Sequence, residues 1–373
     1  MEPFKEVFHR RAIQCLGRIL SAREPSFDGK RFESLAMKNL SSLELKQRCD
    51  QIYRALCATL PQDFPRAAEV IRASLHPSCD GNAHKLGVTE EGVQGWMIMP
   101  LAEYAGRECG EHWALSLDLL KEMTMRFTSE FGIRHLWLAR PREVMKVVAT
   151  WTKHENEHVR RLVSEGARPR LPWGKQLPGF IEDPHATLPL LEALRDDVSA
   201  YVRKSVANHL NDISRDHPLV ALDVARRWQA DASEHRQRLL RHAMRNLLKQ
   251  GHPEALALYE LTTPRLKLAK LSLGAHELPM GGSLTFSLHL QSNARTPQAL
   301  RLDYVLHHQK ANGRLTPKVF RWKDLTLAPG EGLRLEKTHS FRPITTRVYH
   351  QGRHRLEIKI NGAIIAAADF TLR

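Results

Sequence analysis

The sequence has no long hydrophobic run, few cysteines and no secretion signal at its start. Its apolar stretches stop well short of the ~18 residues that a membrane helix needs, so we expect no membrane contact. The 5 cysteines are odd in number and show no CxxC spacing. This indicates reduced thiols in a cytoplasmic protein rather than disulfides or a cysteine zinc site. The first residues also lack the charged-then-apolar pattern of a signal peptide.

Acidic residues are too few to balance the basic ones. The 373 residues include 56 Lys and Arg against 41 Asp and Glu, a formal net charge of +15. From Arg265 onward there are 18 basic against 7 acidic residues, a net charge of +11. A basic excess concentrated in one part of the chain suggests contact with phosphate groups, although basic side chains also keep a surface solvated.

Three segments in the middle of the chain are similar to one another. They centre on Val159-Arg160-Arg161, Val202-Arg203-Lys204 and Leu240-Arg241-His242. The offsets between them, 43 and 38 residues, are near the period of HEAT and armadillo helix pairs. Such pairs stack into a solenoid with a concave face, and a face lined by Arg, Lys and Asn would suit a nucleic-acid backbone.

Hydrophobic periodicity changes near residue 264. Residues 1–105 are predicted to be mostly helical and residues 106–262 to hold the repeats. The predicted helix pairs are 142–152 with 157–165, 188–194 with 199–211, and 219–229 with 234–249. In residues 265–373 the apolar side chains alternate, and Gly, Pro and Asn separate six to eight short strands. We therefore predict a mainly α protein, a HEAT-like helical-repeat solenoid (1–262) with a C-terminal immunoglobulin-like β-sandwich domain (265–373).

Two segments of the repeat region are distinctive. They are HENEHVRRLVSEGARPRLPWG (residues 154–174) and VRKSVANHLNDIS (residues 202–214). With EPFK (residues 2–5) and FTSEF (residues 127–131), they resemble the AlkC family of alkylpurine DNA glycosylases, relatives of AlkD. The resemblance covers the helical region and extends into the C-terminal sandwich.

The resemblance implies a DNA N-glycosylase of base-excision repair. No lysine stands out as a Schiff-base former, so we expect it to be monofunctional, without strand cleavage. It implies excision of cationic N3-methylated bases, 3-methyladenine and 3-methylcytosine, without a pocket for a flipped base, which departs from the general rule for enzymes that act on bases. The expected partner is double-stranded DNA containing alkylated bases. We expect a monomer that needs no cofactor and no metal.

The chemistry that this requires is modest. A cationic base is already a good leaving group, so the oxocarbenium-like sugar is what must be stabilised. A carboxylate about 4 Å from that charge contributes roughly 4 kcal/mol at an effective dielectric constant of about 20, which is about a thousandfold in rate. A carboxylate can also position and activate the attacking water.

Four carboxylates are candidates for this role: Glu157, Glu122, Glu165 and Asp212. Glu157 begins a predicted helix, where an acid also serves the helix dipole, whereas Glu165 ends that helix and opposes the dipole. Glu122 could instead belong to a solvated helix face, and Asp212 could pair with a neighbouring arginine. Glu130 is expected to be a first-turn acid near a helix cap.

The candidate DNA-binding side chains are mostly basic. They are Arg160, Arg161, Arg168, Arg170, Trp173, Arg203, Lys204, Asn208, Asn211, Arg241, Arg245, Arg347, Arg353 and Arg355. Arg160, Arg203 and Arg241 could either pair with an acid of the neighbouring repeat or contact DNA. Arg168 and Arg170 lie in a proline-rich loop where a structural pairing is less expected. Trp173, in the same loop, could pack on the lesion or on the solenoid.

Two other readings remain open. A non-catalytic HEAT-repeat scaffold that binds nucleic acid would have the same basic ladder. The segment from His154 to His158 also matches the HExxH pattern of zinc proteases, which needs both histidines on one face of a continuous helix. The predicted helix boundaries place a break inside that segment.

Overall fold

The computed structural model of the chain describes residues 4–77, 89–344 and 347–373. Glu2, Pro3 and Cys79 lie outside the described residues. The α-helices are α1 (Arg10–Arg23), α2 (Gly29–Ala36), α3 (Leu45–Thr59), α4 (Phe64–Ser74), α5 (Ile98–Glu108), α6 (Trp113–Thr124), α7 (Ile133–Ala139), α8 (Pro141–Thr150), α9 (Glu157–Gly166), α10 (Pro178–Glu182), α11 (Leu188–Leu194), α12 (Ala200–Asp216), α13 (Pro218–Gln229), α14 (Glu234–Ala243), α15 (Arg245–Gln250) and α16 (Pro253–Leu258). None of the helices within these ranges is both long and apolar enough to cross a membrane.

The helical-repeat prediction is confirmed, and side-chain caps explain where the repeat helices begin. The Asn156 side chain accepts a hydrogen bond from the backbone N–H of His158 at the start of α9. Ser199 does the same for Tyr201 at the start of α12. Helix α12 packs between α9 and α14. The helix predicted over residues 234–249 is instead two helices, α14 and α15, interrupted at Met244.

Two glycines let α5 approach the turn before α7. A Cβ atom at Gly106 would collide with the backbone of Gly132, and one at Gly132 would collide with the Ala102 carbonyl. This close approach places the start of α7 directly on α5.

The chain forms two compact units. One contains Met1–His217 and Asp231–Ala243, and the other contains Pro218–Ala230 and Met244–Arg373. Helix α13 therefore belongs to the unit that also holds the strands. A domain boundary between residues 262 and 265 stays a prediction.

The predicted immunoglobulin-like sandwich is confirmed. Its strands are β1 (Leu266–Leu273), β2 (Glu277–Leu278), β3 (Ser283–Ser292), β4 (Gln298–Gln309), β5 (Leu315–Leu327), β6 (Gly332–Ser340), β7 (Gly352–Ile360) and β8 (Ala363–Leu372). They form a three-stranded sheet in the order β1-β3-β6 and a five-stranded sheet in the order β2-β8-β7-β4-β5. Alternate side chains of β3, such as Leu284 and Phe286, are buried with Leu356 and Ile358 of β7 in one core.

Three histidines in the sandwich pack against aromatic rings: His308 and His354 are buried, and His339 is half-buried. Burial, helped by the nearby Arg347 charge, lowers the pKa of His308 to about 3 and that of His339 to about 4. Burial also lowers the pKa of His354. Arg347 Nη1 donates to His308 Nε2 at 3.1 Å, a hydrogen bond that requires this nitrogen to be unprotonated.

We predict that acid selectively destabilises the sandwich. An unfolded histidine takes up a proton near pH 6.5, whereas His308 and His339 stay neutral in the folded chain until about pH 4. The unfolded state then binds more protons, so the free energy of unfolding falls as the pH falls from about 6.5 towards 4. Hydrogen exchange of β3 and β7, measured by mass spectrometry between pH 7 and pH 5, should show this loss of protection.

The matched variants are His354→Phe and His289→Gln. The first removes a buried histidine and should weaken the pH dependence, whereas the second removes an exposed one and should leave it as in the wild type. Equal pH dependence in all three proteins would contradict the explanation.

A candidate site of carboxylates and arginines

Arg161 on α9 joins two carboxylates that come from distant parts of the chain. Its Nη1 lies 2.6 Å from Glu130 Oε2, and its Nη2 lies 3.5 Å from Glu165 Oε1. The guanidinium also lies 5.2 Å from the centre of the Tyr201 ring, a cation–π contact. One cation thus holds a turn before α7, the end of α9 and the start of α12 together.

Behind Arg161, a second arginine is enclosed between two acids. Arg168 Nη1 donates to Glu165 Oε1 at 2.7 Å, while its Nε and Nη2 donate to the two oxygens of Asp212 at 2.8 and 3.0 Å. All three side chains are buried. Together with Glu130 and Arg161 they form what we name the acid–arginine cluster.

The two buried acids of the cluster differ in their electrostatics. Burial by itself would raise the pKa of Glu165, but Arg161, Arg168 and a 2.7 Å hydrogen bond from Ser205 outweigh it and lower that pKa. Burial raises the pKa of Asp212, and Arg168 opposes it only in part. Glu165 is therefore held as a carboxylate.

Glu130 is the acid that the sequence analysis underrated. Helix α7 begins only at Ile133, so Glu130 lies in the turn before it and is not a first-turn acid. Its Oε2 accepts hydrogen bonds from Thr128 and Arg161, while no described residue donates to its Oε1. The short spacing between Thr128 and Glu130 was the only local signal, because the partner Arg161 lies one repeat away.

The structure brings together two of the four predicted catalytic acids. Glu165 and Asp212 meet at Arg168. Glu157 is exposed and accepts a hydrogen bond from Ser199 Oγ. Glu122 pairs with Arg72 at 2.8 Å, outside the cluster.

The unusual loop after α9 is held by a buried arginine of α7. Arg134 is fully buried and donates to the backbone carbonyls of Gly166 (3.0 Å), Pro169 (3.5 Å) and Lys175. No described carboxylate contacts it, and burial lowers the pKa of Arg134 to about 10. Its role is to satisfy carbonyls that the irregular loop would otherwise bury unpaired.

Trp173 stands at the tip of this loop. Its backbone has a φ of +65°, which is rare outside glycine, and its side chain is 58% exposed. The distance between ring centroids is 6.0 Å from Trp173 to Phe4, 4.8 Å from Phe4 to Trp96 and 4.7 Å from Trp96 to Phe127. These four rings, which we name the aromatic ridge, run from the Glu130 turn to Trp173.

Most of the predicted basic residues of the repeats have internal partners. Arg160 pairs with both oxygens of Asp197 in the next repeat, at 2.6 and 3.0 Å. Arg170 pairs in the same way with Asp216. The prediction that Arg168 faces a DNA phosphate is corrected: the structure buries all of its donors against Glu165 and Asp212.

The remaining predicted residues vary in exposure. Lys204 and Arg241 are exposed, and Arg203 and Arg245 are half-buried. Asn208 accepts from His242 at 3.0 Å. Asn211 is buried, and its Oδ1 has no hydrogen-bond donor among the described residues.

The sandwich arginines lie around one strand and the loop before it. Arg353 on β7 pairs with Asp369 at 2.7 Å, and Arg355 pairs with Glu357 at 3.2 Å. Arg347, in the preceding loop, contacts the Phe320 and Tyr349 rings. The exposed Val348 lies beside Arg347 in this loop.

The predicted helix break in the HExxH segment is confirmed. His154 ends a short 3₁₀ helix, and α9 begins three residues later at Glu157. The His154 ring nitrogen Nδ1 accepts from the Asn156 backbone, so the two histidines do not share one helical face as a zinc protease requires.

Comparison with known proteins places this geometry in a family. A family model described as the C-terminal Ig-like domain of the uncharacterised protein YhaZ matches residues 267–373. The uncharacterized protein YhaZ of Bacillus subtilis is 34% identical over 372 residues, 99% of each chain. The structure of the Pseudomonas fluorescens alkylpurine DNA glycosylase AlkC bound to DNA containing an abasic site analog matches with a TM-score of 0.90 and 32% identity, covering 100% of both chains.

The burial of Arg168 can be tested against a matched surface pair. We expect Arg168→Met to lower the free energy of unfolding by about 3–5 kcal/mol, because two buried carboxylates lose their cation. Arg170→Met, which breaks a similar bidentate pair near the surface, should cost no more than about 1 kcal/mol. Urea unfolding of both variants measures this, and equal losses would contradict the assignment.

The loop anchor predicts a local effect. Lysine at position 134 keeps the charge but cannot span three carbonyls, so Arg134→Lys should speed amide exchange across residues 166–175. Arg140→Lys changes an arginine that pairs only with the exposed Glu111 and serves as the control. Unchanged exchange in Arg134→Lys would show that the loop holds its own conformation.

Proposed function

This chain belongs to the family of the alkylpurine DNA glycosylase AlkC, and we propose that it is a monofunctional DNA N-glycosylase of base-excision repair. Its proposed substrate is double-stranded DNA with cationic N3-methylated bases, 3-methyladenine and 3-methylcytosine, and it acts as a monomer without a metal or cofactor. The observation that carries the proposal is the acid–arginine cluster, in which Glu130 has a free carboxylate oxygen.

Glu130 is the carboxylate that we propose faces the sugar. Its Oε2 is fixed by Arg161 and Thr128, which leaves Oε1 to approach the oxocarbenium-like centre. An oxygen about 4 Å from that charge contributes roughly 4 kcal/mol. This is enough for a base that is already positively charged, and too little for a normal base.

The rest of the cluster positions Glu130. Arg161 holds Glu130 in place. Glu165 lies on the other side of Arg161 and shares its positive charge, which weakens the attraction between Arg161 and the Glu130 carboxylate. Because Glu165 accepts hydrogen bonds from Arg168 and Ser205, we propose that it supports the site electrostatically. Water activation then falls to Glu130 as the sugar charge develops.

The lesion need not enter a pocket under this proposal. A cationic leaving group departs without protonation, so the protein has to reach only the sugar edge of the nucleotide. The aromatic ridge supports this, since the exposed Trp173 ring can lie against the sugar or the lesion. We propose that residues 1–262 perform this chemistry.

DNA contacts are proposed for basic residues of both the repeats and the sandwich. We propose that Lys204, Arg203, Arg241 and Arg245 contact phosphates, and that Arg347, Arg353 and Arg355 of the sandwich domain (265–373) do so as well. Asn208 is a further candidate beside Lys204. Arg160 and Arg170 are proposed to hold neighbouring repeats together, since aspartates occupy their donors.

The alternative is a nucleic-acid-binding scaffold without catalysis. A clamp that only holds phosphates gains nothing from carboxylates with open oxygens. The open Glu130 Oε1 favours the enzyme, whereas the partly neutralised arginines of the repeats are compatible with both.

The decisive experiment measures base release from duplex DNA with one 3-methyladenine-type lesion, with EDTA present. Glu130→Gln removes the charge but keeps the shape, so release should fall by up to about a thousandfold while DNA binding is retained. Glu157→Gln alters an exposed acid on the same repeat and should release base like the wild type. The same assay on a 3-methylcytosine duplex ranks the two substrates.

Other outcomes are equally informative. Tight binding by the wild type with no release of base would leave the scaffold. Release that survives Glu130→Gln but not Glu165→Gln would transfer the catalytic role to Glu165.

A further inference from the structure

We propose that the groove between α12 and α14 is a built phosphate-binding site that takes one phosphate diester of the DNA strand. This inference rests on the proposed function and adds residues to it. Five basic side chains line the groove: Arg203, Lys204, His235, Arg238 and His242. We name it the basic groove.

The preceding groove of the repeats shows what is unusual here. Arg160 and Arg203 occupy equivalent positions of successive repeats, and Arg160 is neutralised by Asp197 in a bidentate pair. In the alignment of Val202 with Leu240, the position of Asp197 corresponds to His235. The groove between α9 and α12 therefore has an aspartate that pairs with its arginine, whereas the groove between α12 and α14 has a histidine at the corresponding position.

Arg203 is consequently a cation that no carboxylate of the described residues pairs with. Its Nη1 donates to the backbone carbonyls of Asp197 and Val198, which fix its position but leave its positive charge uncompensated. Lys204 is exposed, and no described residue pairs with it. Arg238 pairs with Glu234, but both side chains are about 70% exposed, so that pair is weak and can be exchanged for a phosphate.

The shape of the groove fits a small anion. Its lining includes Ala200, Ala207 and Leu239, and the small side chains leave a volume of about 290 Å³ between the two helices. A phosphate group can therefore approach the helices closely and meet Arg203 and Lys204 from one side and Arg238 from the other.

The repeat geometry sets where this phosphate lies along the strand. The acid–arginine cluster spans the turn before α7, α9 and α12, and the basic groove lies on the far side of α12. Packed helices are about 8–10 Å apart, so one to two helix spacings correspond to about three to six nucleotides at a rise of 3.4 Å. The basic groove would thus hold a phosphate about three to six nucleotides from the lesion, and fix the register of the strand across Glu130.

The first test uses inorganic phosphate and needs no lesion. Phosphate should raise the thermal unfolding midpoint of the wild type, relative to chloride at equal ionic strength, and should not do so in the double variant Lys204→Ala/Arg238→Ala. Lys146→Ala, at an exposed lysine of α8, should respond like the wild type. If phosphate raised the unfolding midpoint of the double variant as much as that of the wild type, the basic groove would not be a phosphate-binding site.

The second test locates the phosphate on DNA. Each phosphate near the lesion is replaced in turn by a neutral methylphosphonate, and one replacement about three to six nucleotides away should weaken wild-type binding about tenfold. The double variant should bind unmodified duplex about tenfold more weakly, with a salt dependence reduced by about one to two counterions. A methylphosphonate at the position that matters for the wild type should not weaken binding by the double variant any further. If every methylphosphonate weakened binding by the double variant as much as it weakens binding by the wild type, the assignment would be overturned.

The two proposals can fail separately. At saturating DNA the double variant should still release base, because the acid–arginine cluster is untouched, and Lys146→Ala should release it at the wild-type rate. Absence of base release from every protein, with phosphate stabilisation still lost in the double variant, would sink the glycosylase and keep the groove. Normal base release with equal phosphate stabilisation in all proteins would keep the glycosylase and sink the groove.

Discussion

The structure of the candidate site depends on the burial of charge between successive repeats. Arg168 lies between Glu165 and Asp212 with almost no exposure, so α9 and α12 cannot shift without stranding an ion in the interior. Burying such groups is costly unless every donor and acceptor is paired. The same constraint fixes Arg161, which shares Glu165 with Arg168 and extends to Glu130. The carboxylate proposed to act on the sugar is thus positioned by the interactions that stack the repeats.

A second buried cation extends this control to the irregular loop. Arg134 has no acid partner in the described chain and instead collects three carbonyls of residues 166–175. Gly174 packs against the Arg134 side chain, where a Cβ would come within 3.2 Å of its Cδ. The exposed Trp173, with its left-handed backbone, is therefore carried on a rigid support. Preorganisation of this kind is what a shallow site needs, because it has no enclosing walls to orient a substrate.

Local signals in the sequence predicted the elements well and the site only in part. The repeat spacing and the alternation of apolar side chains are local signals, and elements that they predict, among them α9, α12, β3 and β7, formed as expected. Arg168 was misassigned and Glu130 undervalued for one reason: their partners lie 44 and 31 residues away in sequence. Only the stacked repeats reveal which charges meet.

Divergence between the repeats also explains how one scaffold can both hold itself together and bind an anion. Arg160 and Arg203 occupy equivalent positions in their repeats. Arg160 pairs with Asp197, whereas Arg203 lines the same groove as His235. A single change of partner turns a stacking contact into an electropositive groove without altering the helices. The acid–arginine cluster spans the turn before α7, α9 and α12, whereas the basic groove lies on the other side of α12. This separation lets the two opposite electrostatic requirements coexist on neighbouring repeats.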